Sequence, residues 1–417
     1  MQLKRVVVTG LGALTPIGNT VQEYWNALIN GVSGADFITK FDASKFKTRF
    51  ACEVKNFDVN NFIDRKEARK MDLYTQYAMI VADEAVTDAG ITAENHNSDR
   101  VGVIWGSGIG GLITFQNECE EFFKGDGTPR FNPFFIPKMI ADIASGQISI
   151  KHGFRGPNFT CVSACASSTN AMIDSFNYIR LGKADIIVTG GSEAAVSQAG
   201  MGGFNALQAL STRNDDPKTA SRPFDMEREG FVLGEGGGCI ILEELEHALA
   251  RGAKIYCEIV GGGMSADAHH ITAPHPEGLG ALNVMKNAIS DAEIDLHEID
   301  YINVHGTSTP LGDVSESKAI LGIFGEQAYN LNISSTKSMT GHLLGAAGAI
   351  EGIATILAVQ NDIIPPTINH FTDDPAFDPK LNFTFNKAQK RVVRAGLSNT
   401  FGFGGHNASV IMKKFSA

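Results

Sequence analysis

The sequence predicts an α/β fold made of two similar halves sharing one core, and three observations carry that expectation. A β-type segment at 159–162 runs straight into a helical pattern in which Met172, Ile173, Phe176 and Ile179 share one apolar face. An apolar run at 184–191 follows as a buried strand, and strand, helix, strand in that order points to a parallel sheet. After a helix at 244–252 the alternation starts again with a strand at 255–260, and it again sets polar residues at a strand end. No linker separates the halves, so residues 1–250 and 251–417 are expected to be two units on a common core.

Composition limits the function. A chain of 417 residues with 43% hydrophobic content has ample material for a large core. A net charge of -11 argues against a general nucleic-acid binder. The N-terminus enters a strand without the apolar stretch and cleavage site of a secretory leader, which predicts a cytoplasmic protein. Cysteines 52, 119, 161, 165, 239 and 257 form no CxxC and no metal-like spacing with histidines, so reduced thiols and no bound metal are expected.

In chain order, a β-branched run at 4–9 meets Gly10-Leu-Gly12, and a strand at 100–105 meets Gly106-Ser-Gly108-Ile-Gly110-Gly111. Neither completes a dinucleotide fingerprint: Thr15 replaces the third glycine of the first, and no ribose-binding acid follows the second. Both read as tight turns at strand ends, and no nicotinamide cofactor is expected. Residues 64–72 hold the densest basic cluster, with Lys66, Arg69 and Lys70 at helical spacing. A solvated surface helix and a docking patch for an acidic partner both fit it. Helices are expected at 73–89 and 137–150, and a strand at 231–243. The second half adds a glycine turn at 261–263, a strand at 301–304, a small-residue helix from 342 and a closing strand at 408–413. The apolar run 342–359 contains His342 and Glu351 and lacks basic flanks, so it reads as a core helix rather than a membrane span.

The chemistry concentrates in four places. Cys165 lies where a strand turns into the first turn of a helix, whose unpaired N–H groups favour a thiolate and can donate to an oxyanion. The alternative is a small buried cysteine, but Ser163, Ala164 and Ala166 leave room for a substrate. His305 follows a strand, where open α/β sheets bind ligands, and Thr307 and Thr309 alternate on one side, ready to hydrogen-bond an extended polar ligand. Lys337, His342 and Glu351 are ionisable groups in an apolar setting, which predicts a Lys337–Glu351 ion pair holding His342 in place. Ser398–Asn407, with Phe401, Phe403 and three glycines, is either a plain turn or the source of a second oxyanion N–H.

These stretches in this order resemble the elongating β-ketoacyl-acyl carrier protein synthases of the thiolase superfamily, type II in particular. The likeness runs along essentially the whole chain, from Val8-Thr-Gly-Leu-Gly12 through the Cys165 stretch and Gly230-Phe-Val-Leu-Gly-Glu-Gly236. It continues in His305-Gly-Thr-Ser-Thr-Pro310, Lys337-Ser-Met-Thr-Gly-His342 and Phe401-Gly-Phe-Gly-Gly405. The resemblance implies a thiolase-like fold of duplicated halves in five layers, α-β-α-β-α, usually a homodimer. It implies that Cys165 takes an acyl chain from acyl carrier protein as a thioester. Malonyl-carrier protein then loses CO2, and the enolate attacks that thioester. His305 and His342 match the histidine pair that stabilises the enolate, with Lys337 and Glu351 as the supporting pair. The backbone N–H groups of Cys165 and Phe403 match the oxyanion hole, Phe403 with Phe401 the gate, and Thr307 and Thr309 the pantetheine contacts. Lys66, Arg69 and Lys70 match the surface that faces the acidic carrier protein. No cofactor is implied.

One departure is His406, which follows the Gly-Gly where many relatives have Thr. A degradative thiolase would need a cysteine near the C-terminus, and none follows Cys257. A starter-unit synthase would carry Asn at or beside His342. A polyketide ketosynthase is the alternative reading, and its non-catalytic partner subunit typically lacks the nucleophile that is present here.

Overall fold

The computed structural model describes residues 3–416; Met1, Gln2 and Ala417 lie outside the described residues. Its main sheet has ten strands: β1 (Val6–Leu14), β2 (Val101–Gly106), β3 (Asn158–Cys161), β4 (Ile186–Glu193), β5 (Gly236–Glu244), β6 (Cys257–Ala266), β7 (Ile299–Asn303), β8 (Asn332–Ser334), β9 (Ala395–Gly402) and β10 (His406–Lys413). They hydrogen-bond in the order β8-β7-β9-β10-β6-β1-β5-β4-β2-β3. Read outward from the centre, each half repeats one order: first strand, fifth, fourth, second, third. The halves join where β1 meets β6 antiparallel, from Val6 opposite Ile259 to Val8 opposite Cys257.

Five helices set the layers: α1 (Leu73–Asp88), α2 (Ser167–Arg180), α3 (Leu279–Ala292), α4 (Pro310–Phe324) and α5 (Ala347–Asn361). Met172, Ile173 and Phe176 of α2 and Ile350 and Ile353 of α5 share a core with Val6, Ile240, Leu242 and Val410, so these two helices form the middle layer. Tyr77 and Val81 of α1 cover the other face of the first half against Val103, Val188 and Ile241. Val284 of α3 and Ile320 of α4 do the same in the second half against Ile302, Leu397 and Ile411. Both faces of the strands are therefore covered, which is why they read as continuous apolar runs rather than alternating ones. The stretch Leu344–Asn361 is long and apolar enough to span a membrane, yet 89% of it is buried inside the protein.

Several elements differ from the sequence expectation. The sheet is mixed: β2 is parallel to β3 and β4, and β9 to β7, but β5 and β10 return antiparallel. The predicted turns at Gly10-Leu-Gly12 and 261–263 are absent, because these glycines sit inside β1 and β6. A Cβ at Gly10 or Gly12 would come within 2.3 and 2.0 Å of the Ala85 and Val81 carbonyl oxygens of α1. One at Gly261 or Gly263 would come within 2.6 and 2.3 Å of the Ala288 and Val284 carbonyls of α3. The glycines let a helix lie directly on a strand, and the same device recurs in both halves. The 106–111 stretch does turn at the end of β2, as expected.

The helix expected at 137–150 is two helices, Phe135–Met139 and Ile143–His152. The break leaves the Ile140 carbonyl free to accept from the Tyr74 hydroxyl at 2.6 Å. The strand expected at 231–243 begins only at Gly236. Before it, Phe231, Leu233 and Gly234 make single bridges to Leu210, His342 and Cys52. Tertiary partners compete for that backbone and win.

Candidate active site

Cys165 occupies a tight bend between β3 and α2. Ala164 takes a left-handed φ of 51°, a strained conformation for a residue with a Cβ. The bend is held from below: the Ser167 hydroxyl accepts from the Ser163 N–H at 2.9 Å and donates to the Ala164 carbonyl at 2.7 Å. The Asn170 amide donates to the Ser163 hydroxyl at 2.7 Å. The sulfur is thereby fixed at the bottom of a cavity of about 560 Å³. Ile109, Phe204, Leu207 and Leu344 give that cavity apolar walls, and Thr307 and Thr309 give it a polar side.

The structure brings His342 to the sulfur and His305 beside His342 in the same cavity. His342 Nε2 lies 3.0 Å from Cys165 Sγ. The His305 ring stands edge-on to the His342 ring, with centroids 5.2 Å apart, and Phe401 flanks His305 at 5.6 Å. Lys337 Nζ is 2.5 Å from Glu351 Oε1, with both side chains only 1% exposed. The ion pair expected from the sequence is present, but it does not hold His342. That residue is held by its own backbone, whose N–H donates to the Val232 carbonyl at 2.8 Å while its carbonyl accepts from the Gly234 N–H at 2.9 Å. Phe231 packs edge-on against its ring at 5.3 Å.

Electrostatics correct the expectation of a resting thiolate. Burial pushes the Cys165 thiol up to about 12, against the opposing pull of the Lys337 charge and the Phe403 N–H that points at the sulfur. The helix end is outweighed by the loss of water. Burial also depresses His305 and His342 well below the ordinary imidazole value, and the Lys337 charge adds to both effects. The resting site thus pairs a neutral thiol with two neutral imidazoles. Neither Nδ1 has a hydrogen-bond partner, so each Nε2 can act as donor or acceptor. A pH profile of any reaction run by these imidazoles should show no acid limb at 6.5; the limb should lie well below it. Because a depressed base favours the folded state above the unfolded value, stability from the pair should be complete above about 6.5 and decline as pH falls through the folded values. Rate and melting curves from pH 4 to 9 check both, and a limb at 6.5 would refute the neutral pair.

The remaining predicted residues take their places with differences. The Thr307 and Thr309 hydroxyls lie 3.0 Å apart across Ser308, whose left-handed φ of 67° turns both toward the cavity. Phe401 and Phe403 line the cavity from the end of β9 and the turn before β10. Lys66 and Arg69 are exposed on and just after a single helical turn, Arg65–Ala68, while Lys70 is paired with Glu67 at 2.7 Å.

Two buried carboxylates escaped the sequence reading. Glu316 accepts from the N–H groups of His305 and Gly306, both at 2.9 Å, and from the Asn399 amide at 3.1 Å, and burial lifts it to about 7. Glu193, at the end of β4, accepts from the N–H groups of the 106–111 turn. The glycine-rich stretch is therefore occupied by the protein's own carboxylate rather than by a dinucleotide phosphate. An acid closing an apolar run was the available signal for Glu193.

Duplicated α/β halves with a buried cysteine facing two imidazoles define a condensing-enzyme architecture, and the chain belongs to the β-ketoacyl synthase family. Residues 3–248 match the beta-ketoacyl synthase N-terminal domain and residues 256–371 its C-terminal domain. The chain is 49% identical over 415 residues to the 3-oxoacyl-[acyl-carrier-protein] synthase 2 of Synechocystis sp., covering 100% of this chain and 99% of that protein. Among solved structures it is similar to the ishigamide ketosynthase/chain length factor, with a TM-score of 0.92 at 35% identity over 99% of this chain and 100% of that one. It is also similar to a chain from a structure of a type II polyketide acyl-carrier protein in complex with its ketosynthase bound to the hexaketide, with a TM-score of 0.90 at 33% identity and the same coverage. The fold is thus thiolase-like, as the sequence predicted.

Proposed function

We propose that this chain elongates fatty acids by decarboxylative condensation of malonyl-acyl carrier protein with an acyl chain held on Cys165. The observation that carries it is the 3.0 Å approach of His342 Nε2 to Cys165 Sγ, with His305 beside it, in a mostly apolar cavity. Residues 1–250 supply the nucleophile and residues 251–417 the histidine pair. In the first half-reaction the Cys165 proton passes to His342 Nε2 as the sulfur attacks the acyl thioester carbonyl. The N–H groups of Cys165 and Phe403 stabilise the tetrahedral oxyanion, and the departing pantetheine sulfur takes the proton. In the second, His305 and His342 donate Nε2–H to the malonyl thioester oxygen, which stabilises the enolate left when CO2 departs. The enolate carbon attacks the Cys165 thioester carbonyl and breaks its C–S bond, and the released Cys165 thiolate takes one proton from solvent, the proton that the overall condensation consumes.

Thr307 and Thr309 would hold the pantetheine amides, and Phe403 with Phe401 would gate the two half-reactions. Lys66, Arg69 and Lys70 would receive the acidic carrier protein. Charge reversal at Lys66 and Arg69 should raise KM for carrier-bound substrate about tenfold at low salt, leave kcat unchanged, and matter less at high salt. A cytoplasmic homodimer fits the chain: β3 is an open sheet edge, and Val162, Phe123 and Phe131 beside it and on the same half are exposed apolar residues.

A polyketide ketosynthase is the second reading, favoured by the solved structures above. The higher identity to 3-oxoacyl synthase 2 supports the fatty-acid reading, and the presence of Cys165 opposes a non-catalytic subunit. The deciding experiment supplies acyl- and malonyl-carrier protein and measures the product by intact mass. One two-carbon extension per acyl transfer supports elongation for fatty acids; repeated extension without intervening reduction would replace it with the polyketide reading.

A further inference from the structure

Glu193 is fully buried at the end of β4, yet its carboxylate touches two separate backbones that both reach the cavity. From the turn after β2 it accepts from the N–H groups of Gly108 at 2.7 Å, Ile109 at 3.2 Å and Gly110 at 3.3 Å, and from the Ser107 hydroxyl at 3.3 Å. From the second half it accepts from the Gly345 N–H at 3.0 Å. Ile109 and Leu344, which sit in or next to these contacts, both line the cavity. The two backbones meet with no slack. A Cβ on Gly345 would lie 2.2 Å from the Gly108 nitrogen and 2.6 Å from Glu193 Oε2, and a Cβ on Gly108 would lie 2.9 Å from the same oxygen.

A carboxylate is the side chain for this place because it accepts only. Five donors converge on two oxygens, and an amide in the same position would turn an NH2 group toward N–H groups and leave buried donors unpaired.

We infer that Glu193 is a positioning residue that fixes the spacing of Ile109 and Leu344 in the cavity and so sets the length of acyl chain the enzyme prefers. This rests on the condensing function proposed above and deepens it. Glu193 itself touches no substrate. It ties a turn of the first half to the start of the α5 segment of the second, so the width of an apolar passage built from both halves depends on one carboxyl group, which burial lifts to about 7. Loosening it should relax discrimination among chain lengths; removing its charge also eases ionisation of the Cys165 thiol, an effect common to every chain length that leaves their ratios unchanged.

The test compares wild type, Glu193→Gln and Ser107→Ala, the last removing one donor to the carboxylate and one acceptor of the Gly110 N–H, which keeps its contact to Glu193. Each protein is offered a series of acyl-carrier proteins differing by two carbons, and the rate of Cys165 acylation is read by intact mass, with melting temperature recorded alongside. The expected result is a flattened profile. The ratio between the preferred chain and the one two carbons longer falls by about tenfold in Glu193→Gln, the scale of one methylene in an apolar pocket. Ser107→Ala shifts it the same way by a smaller factor. If both folded variants keep the wild-type ratios, or lose rate equally at every length, Glu193 does not set selectivity and the inference is overturned. If Glu193→Gln does not fold, Ser107→Ala decides alone. If wild type takes up no acyl group from any carrier protein, it is the condensing function that fails instead.

Discussion

Cys165→Ala is expected to take up no acyl group, and its condensation rate should fall by at least about 10⁴-fold, because removing a nucleophile that works with a base removes the whole covalent route. The substitution deletes one sulfur at the bottom of the cavity and leaves the Ser163–Ser167 and Ser163–Asn170 bonds of the bend intact, so the protein should remain folded. Its informative partner is decarboxylation of malonyl-carrier protein. His305 and His342 keep their places without the sulfur, so CO2 release should persist in Cys165→Ala while acyl uptake is lost. Intact mass for the adduct and a CO2 assay for the second half separate the two. Acyl labelling of Cys165→Ala equal to wild type would move the nucleophile elsewhere.

Lys337→Met should produce the largest loss of stability. The lysine and Glu351 are both 1% exposed, and removing one partner of a buried pair leaves an uncompensated charge at a cost of about 3–5 kcal/mol. The loss should depend on pH. Burial already holds the Glu351 carboxyl up to about 7 against the lysine's pull, from an ordinary value of 4.5. Without the lysine it rises further. The folded protein then keeps a proton that the unfolded chain gives up near 4.5, so stability falls as pH rises from there through the folded value. Lys337→Met should therefore be closer to wild type at pH 6 than at pH 9 in denaturant titrations. Equal loss at both would place the cost in packing rather than charge.

The pair of substitutions Lys337→Met with Glu351→Leu separates structure from chemistry. Apolar replacements of similar volume often restore a buried ion pair's stability to within about 1 kcal/mol. Activity should not return to the wild-type profile. Burial would still depress both imidazoles, but the Lys337 charge would no longer add to it, so the acid limb should move up toward 6.5. A double variant with an unshifted limb would leave the lysine no electrostatic part.

What could be read from the chain was what local pattern encodes. The helical face of Met172, Ile173, Phe176 and Ile179 placed α2, the apolar run before Thr189 placed β4, and the small-residue stretch around Cys165 lines the cavity. The order of the motifs, each of them of only moderate specificity, identified the family. The duplication was legible as a recurrence of strand and helix, since burying both faces of a sheet forces the same apolar runs in each half. Patterns over ten residues or so encode which residue type stands on which element.

Tertiary structure decided the rest, because it depends on partners far apart in the chain. Gly10, Gly12, Gly261 and Gly263 look like turns until a helix is seen lying on the strand. Cys165 looks like a thiolate at a helix end until burial is counted, and burial is a property of the whole fold that outweighs one local dipole. His342 is held by a bridge to Val232–Gly234 a hundred residues away, and Glu193 closes a contact between the two halves that no spacing encodes. The sequence determined which ionisable and nucleophilic groups stand on which element; packing determined their protonation and their distance, because both follow from how much water is excluded and from which backbones are brought together.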